Sequence, residues 1–253
     1  MALTLFKSTH IKIERRIAPT LARPSTAFKP STQYNFFLVI AKTEEMTEFT
    51  EVLMAMITSL GIVKTSEESA TEVRVQLDIK EAGSLLTYLR ERKGLMSYDD
   101  ALILTTNMAS QLGQLQETTR KVVPFIVPSA VGYIIHPTTA TPVFLFLTPE
   151  GLLPQNMDNT ISVPFAPTGI QQAFLAPELQ TITATTPLPF KVSNTAWLYS
   201  LAQLVTYCIT NRLDITTPEM TKKALEPLEL TKLAFALRRC IAVNPTERIF
   251  ILI

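Results

Sequence analysis

The stretch Val192–Ile209, VSNTAWLYSLAQLVTYCI, constrains this chain more than any other. From Trp197 to Ile209 it carries no charge, and Trp197, Leu198, Tyr199, Leu201, Leu204, Val205, Tyr207, Cys208 and Ile209 cover every face of a helix. A helix that is apolar all round belongs inside a protein or a membrane. A membrane span needs about 20 such residues, and this run is shorter. The sequence therefore predicts a buried central helix on which other helices are hung. Ser193 and Asn194 stand before it as candidate N-caps.

A chain of 253 residues can bury a full core, as one domain or as one domain in two parts. The net charge of +1 hides an asymmetry. Within residues 1–33, Lys7, Lys12, Arg15, Arg16, Arg23 and Lys29 face Glu14 alone, so this arm carries +5 and the remainder −4. The opening MALTLFKSTHIKIERR is basic and acid-poor, as an organelle transit peptide would be. Ile11 and Ile13 alternating with Lys12 and Glu14 describe an ordinary first strand equally well, and the strand is the preferred reading. Six cations with no aromatic residue interleaved after Lys7 and before Phe28 are a thin basis for nucleic-acid binding, so nucleic acid is not the expected partner. No run is long enough to span a membrane. Cys208 and Cys240 both lie in apolar helical contexts and read as buried thiols of a reducing intracellular compartment.

Periodicity places the remaining elements. Tyr34–Lys42, YNFFLVIAK, is a strand. Glu44–Leu60 is an amphipathic helix, with acids in its first turn and Gly61 at its end. Val73–Ile79 alternates apolar with polar residues as a half-buried strand does. Ser84–Arg92 is a short helix closed by Gly94, and Ser97 caps a longer one running to Glu117. Val122–Leu153 is extended, with a hairpin around a Pro/Thr turn that holds His136. Residues 154–196 carry only Asp158, Glu178 and Lys191 as charges among recurring prolines, and read as a long functional loop. Pro218–Glu226 and Leu228–Val243 are helical, and IFILI follows. Strands with one helix, then mostly helices, make an α+β arrangement. His10 and His136 have no metal-site spacing, no metal is expected, and His136 reads as a solvated turn residue.

Read in order, these segments resemble the eukaryotic protein-kinase fold. VRVQLDIKEAGSLLTYLRERKG is similar to the hinge and the helix after it. FLAPEL resembles the A-P-E motif, LYSLAQL a W-S-L-G-like run, and RRCIAVNPTERIF the late R-C-L-x-x-x-P-x-x-R motif. VIAK resembles the V-A-I-K strand, which makes Lys42 and Glu51 the degenerate counterpart of the nucleotide-site ion pair. The resemblance implies a bilobal fold: residues 1–79 as a reduced N-terminal β lobe with the basic arm 1–33, and residues 80–253 as a mainly α-helical C-terminal lobe with a shortened C-terminus. It also implies an ion pair between Glu178 and Arg248.

The departures point to lost chemistry. Pro124, Phe125 and Ile126 stand where the family has His, Arg and Asp, and Val131 where an Asn binds metal. Thr148-Pro149-Glu150 replaces D-F-G, and Trp197 the helix aspartate that steadies the catalytic loop. IAPTLAR, the loose counterpart of the glycine-rich loop, has no glycine, and the whole chain has only 7. Phosphoryl transfer needs acids to hold Mg²⁺, a base or orienter, and a cradle for the phosphates. The expectation is a pseudokinase: no enzyme activity, no cofactor, and work done as a scaffold, assembly or structural component through a protein partner or self-association. The alternatives are a nucleotide-binding allosteric switch, or an atypical kinase with residual phosphotransfer using Glu150 and Asp158. Such an eroded chain resembles products of large DNA viruses, where it would sit in a virion-like assembly. Ile161, Val163, Phe165, Ile170 and Phe174 in the proline-rich segment are the candidate partner-binding residues.

Overall fold

The computed structural model describes residues 2–17 and 34–252. The expected Pro/Ser/Thr loop and all but the first residue of IAPTLAR lie outside the described residues.

Five antiparallel strands form the first sheet, in the order β1-β2-β3-β5-β4. They are β1 (Ala2–Lys7), β2 (Ile11–Ile17), β3 (Tyr34–Ala41), β4 (Val63–Glu68) and β5 (Glu72–Leu77). Register aligns the apolar set: Ile11 faces Ile40, Ile13 faces Leu38, and Leu38 in turn faces Val75. These five residues are buried, because side chains alternate across a strand and one face of this sheet belongs to the core. On the opposite face, Glu14 is 6% exposed and is held by Lys12 at 2.9 Å and Arg16 at 2.8 Å. Helix α1 (Thr47–Ser59) adds Phe49, Val52, Leu53 and Ile57 to the same core and ends before Gly61, whose φ of +66° suits a residue without a side chain.

A second sheet has the order β6-β8-β9: β6 (Glu81–Ser84), β8 (Val131–Ile135) and β9 (Pro142–Phe146). Between them in sequence run α2 (Leu85–Glu91), α3 (Tyr98–Thr119) and β7 (Lys121–Val122). Ser84 and Ser97 cap their helices, accepting from the N–H groups of Thr87 and Asp100. The outer edge of β9 is satisfied by a helix. Asn107 of α3 accepts from the Phe144 N–H at 2.9 Å. Gln111 accepts from the Phe146 N–H at 2.8 Å and donates to the Phe146 carbonyl at 2.9 Å. An edge strand needs some such cover, since its free N–H and C=O groups are otherwise unpaired.

The rest comprises β10 (Leu153–Pro154), β11 (Thr160–Val163), α4 (Pro177–Gln180), β12 (Phe190–Ser193), α5 (Ala196–Thr210), α6 (Pro218–Ala224) and α7 (Lys232–Cys240). β10 pairs with β7, and β11 with β12. Helix α5 is the expected central helix: every residue from Ala196 to Thr206 is buried, and α3, α6 and α7 pack on it. Its N-cap position is Thr195, with no side-chain cap bond; Ser193 Oγ accepts from the Thr195 N–H at 3.2 Å instead. His136 is half-buried and not fully solvated. Its Nδ1 accepts from the N–H groups of Thr138 and Thr139, and its Nε2 reaches the Leu60 carbonyl at 3.3 Å, tying the hairpin to the end of α1.

Two outcomes follow. Gln111→Ala leaves a buried N–H and a buried carbonyl of Phe146 without partners, and should lower stability by about 2–4 kcal/mol in denaturant melts. The hydrogen bond from Lys12, with help from Arg16 and against the cost of burial, holds the Glu14 carboxyl below its usual value of 4.5. A carboxylate with a depressed folded-state pKa contributes stability above its unfolded pKa and loses it as pH falls through the folded value. Glu14→Gln should therefore destabilise at neutral pH and flatten the loss of stability below about pH 4.5 in acid titrations.

Candidate functional site

The segment Pro124–Val131 stands where the kinase resemblance puts a catalytic loop. Its residues are mostly buried: Ile126 and Val131 are both 0% exposed, and Phe125 is half-buried with its ring edge against Phe165. The backbone at Ile126 is anchored from α5. Ser200 Oγ accepts from the Ile126 N–H at 2.7 Å, and lies 3.2 Å from the Ile126 carbonyl and 2.6 Å from that of Phe174. One hydroxyl thus fastens the loop substitute and the middle of the proline-rich segment to the central helix. Trp197, the sequence counterpart of the steadying aspartate, is buried one turn earlier. The signal for Ser200 was available: a hydroxyl inside an all-round apolar helix must find a buried partner.

The residue just before the D-F-G position packs into the same core. Leu147 is fully buried, its N–H donating to the Ala130 carbonyl at 2.9 Å, and Thr148 is tied to the same carbonyl. Close packing joins this segment to the first sheet and to β6, which lies in the hinge-like segment. A β-carbon on Gly132 would fall 2.6 Å from Leu147 Cδ1, 3.4 Å from the Gly83 carbonyl oxygen and 3.5 Å from Phe6 Cδ2. Phe6 of β1 is buried there. Glu150 is exposed on a short turn, and Asp158 is engaged by Lys191 at 3.1 Å and by Thr160. Among the described residues no group of three His, Cys, Asp or Glu side chains could hold a metal ion.

Lys42 and Glu51 are not bonded to each other. Lys42 Nζ pairs with Glu68 at 2.5 Å and reaches the Ser69 carbonyl, because it lies just past the end of β3, at the turn between β4 and β5. Both Lys42 and Glu51 line one open groove. Glu178 and Arg248 form a fork: Nη1 to Oε1 at 2.5 Å and Nη2 to Oε2 at 2.8 Å. Arg248 Nε also donates to the Ala242 carbonyl at 2.8 Å, and its guanidinium lies 5.3 Å from the centre of the Tyr199 ring. Burial pushes the Tyr199 hydroxyl up to about 12. It likewise raises both thiols, Cys240 to about 12, and protonated buried thiols are poor nucleophiles.

The candidate partner residues divide. Ile161 and Val163 are fully buried and Phe174 nearly so, which corrects their place among the candidate partner-binding residues, since a partner needs them at the surface. Ile161 and Val163 alternate inward on β11, paired with β12, and Phe174 packs edge-on against Tyr207. Phe165 at 37% exposure and the half-buried Ile170 remain at the surface. The low charge of residues 154–196 thus serves this chain's own core.

Arg248→Ala should destabilise by about 3–5 kcal/mol, measured by denaturant unfolding, because it leaves the Glu178 carboxylate and two carbonyls without their donor.

No family model matches this chain, and no curated protein matches it in sequence. Among solved structures it is similar to the crystal structure of Rad53 1–466 in complex with AMP-PNP, with a TM-score of 0.53 and 12% identity. That likeness covers 98% of this chain and 61% of the other, so the chain spans under two thirds of its neighbour's length. At this identity the likeness speaks for architecture alone: the chain has a mixed α+β, protein-kinase-like fold.

Proposed function

We propose that this chain is a catalytically inactive kinase-like protein, a pseudokinase that works through its surface as a scaffold or assembly component. In this reading residues 1–79 are a reduced N-terminal β lobe and residues 80–253 a mainly helical C-terminal lobe. The observation that carries it is the packing around Gly132. Kinase phosphates lie under a glycine-rich loop beside a strand lysine, and the metals are held by the D-F-G aspartate and a catalytic-loop asparagine. Here a β-carbon on Gly132 would fall 2.6 Å from the buried Leu147, and one on Gly83 would fall 2.9 Å from the buried Tyr133, so neither position has room for a methyl group. The neighbouring residues with catalytic counterparts are Ile126, Val131 and Thr148, none of which can take up a proton from a hydroxyl or bind Mg²⁺ as a carboxylate does. Lys42, the phosphate-binding candidate, is spent on Glu68.

Thermal melting of the purified chain with ATP, with and without Mg²⁺, and a phosphotransfer assay on the same sample test this reading. The expected result is an unchanged melting temperature and no transfer above background, since a ligand stabilises only what it binds. A Mg²⁺-dependent rise, or transfer that disappears in Lys42→Ala, would overturn it in favour of the nucleotide switch or the atypical kinase.

A further inference from the structure

The N-terminal half of α1, the end of β3 and the β4–β5 hairpin enclose an open groove of about 600 Å³. That volume is in the range of sites that bury a ligand or a peptide side chain. Its apolar lining comes from Met54 and Val73, both half-buried, over the buried Met46. Methionine is unbranched and polarizable, and adapts to differently shaped apolar partners. The polar lining has one sign to spare. Lys42 is neutralised by Glu68, whereas Glu44 and Glu51 have no ion-pair partner among the described residues. On the far wall, β4 is the edge of the five-stranded sheet, so among the described residues its outer backbone has no strand partner.

An apolar floor bordered by uncompensated carboxylates selects a ligand that is apolar at its centre and cationic at its flanks. Acidic ligands are repelled, and a purely apolar one leaves the carboxylates without partners. We propose that this groove is the docking site for a basic peptide segment of a partner protein, seating one large apolar side chain on Met54 and Val73 between lysine or arginine residues. The proposal rests on the reading that the chain works through its surface, and gives that surface a place and a chemistry.

Selection from a random pool of 12-residue peptides on the full chain tests it. The expected peptides carry Phe, Leu, Met or Trp flanked by Lys or Arg. Their binding should weaken about tenfold or more in Glu51→Lys, which reverses one wall, and in Ser66→Trp, which fills the groove from β4; a tenfold loss corresponds to about 1.4 kcal/mol. Both positions are solvent-exposed, and a melting curve for each variant confirms folding. Enrichment of acidic or uncharged peptides, no enrichment, or unchanged binding to both folded variants would overturn the proposal. Phosphotransfer is read separately: an active chain that still captures basic peptides overturns the pseudokinase reading alone, and an inactive chain blind to them overturns the groove alone.

Discussion

Ser200 Oγ lies inside a helix that has no solvent face, so it finds its partners within the protein. Those partners are the Ile126 N–H and the carbonyls of Ile126 and Phe174, which come from two segments far apart in sequence. The same demand recurs along α5. Gln203 donates to the Ile215 carbonyl and accepts from Thr221, while Thr206 turns back on the Ala202 carbonyl. Polar groups on a buried helix cost free energy when unpaired, so each paired one fastens whatever segment supplies its partner. The loop substitute, the middle of the proline-rich segment and α6 are ordered around one helix for this reason.

The Glu178–Arg248 fork completes that frame from outside. Arg248 has a fully buried side chain with Glu178 and two backbone carbonyls as acceptors, so the charge is compensated where it lies. A planar guanidinium matches a carboxylate in two parallel bonds, which sets orientation as well as energy. The geometry holds the short helix α4 to the segment after α7 and needs no phosphate or metal.

Much of this was legible in the sequence. The uncharged run to Ile209 specified a buried helix, the spacing of Phe49, Val52, Leu53 and Ile57 specified α1, and Ser84 and Ser97 marked helix starts. Each depends on neighbours within four residues or on a single face, so local pattern suffices. Strand β4 was not legible: Lys64, Thr65, Ser66, Glu67 and Glu68 are all exposed and show no apolar alternation. Only hydrogen bonds to β5 make that segment a strand.

The partners of individual side chains were decided by the tertiary structure alone. Composition marked residues 154–196 as apolar and poor in charge, but whether Ile161 and Val163 meet solvent or core depends on the pairing of β11 with a strand about 30 residues away. Lys42 was identifiable as a cation after a strand. That it turns to Glu68 and not to Glu51 follows from where β4 returns along β5, a register that no local spacing encodes. The sequence by itself determined which residues must be buried and which residue types stand at each position of the kinase-like motifs. The fold determined what lies against them, because contacts between distant segments are set by the packing of whole elements.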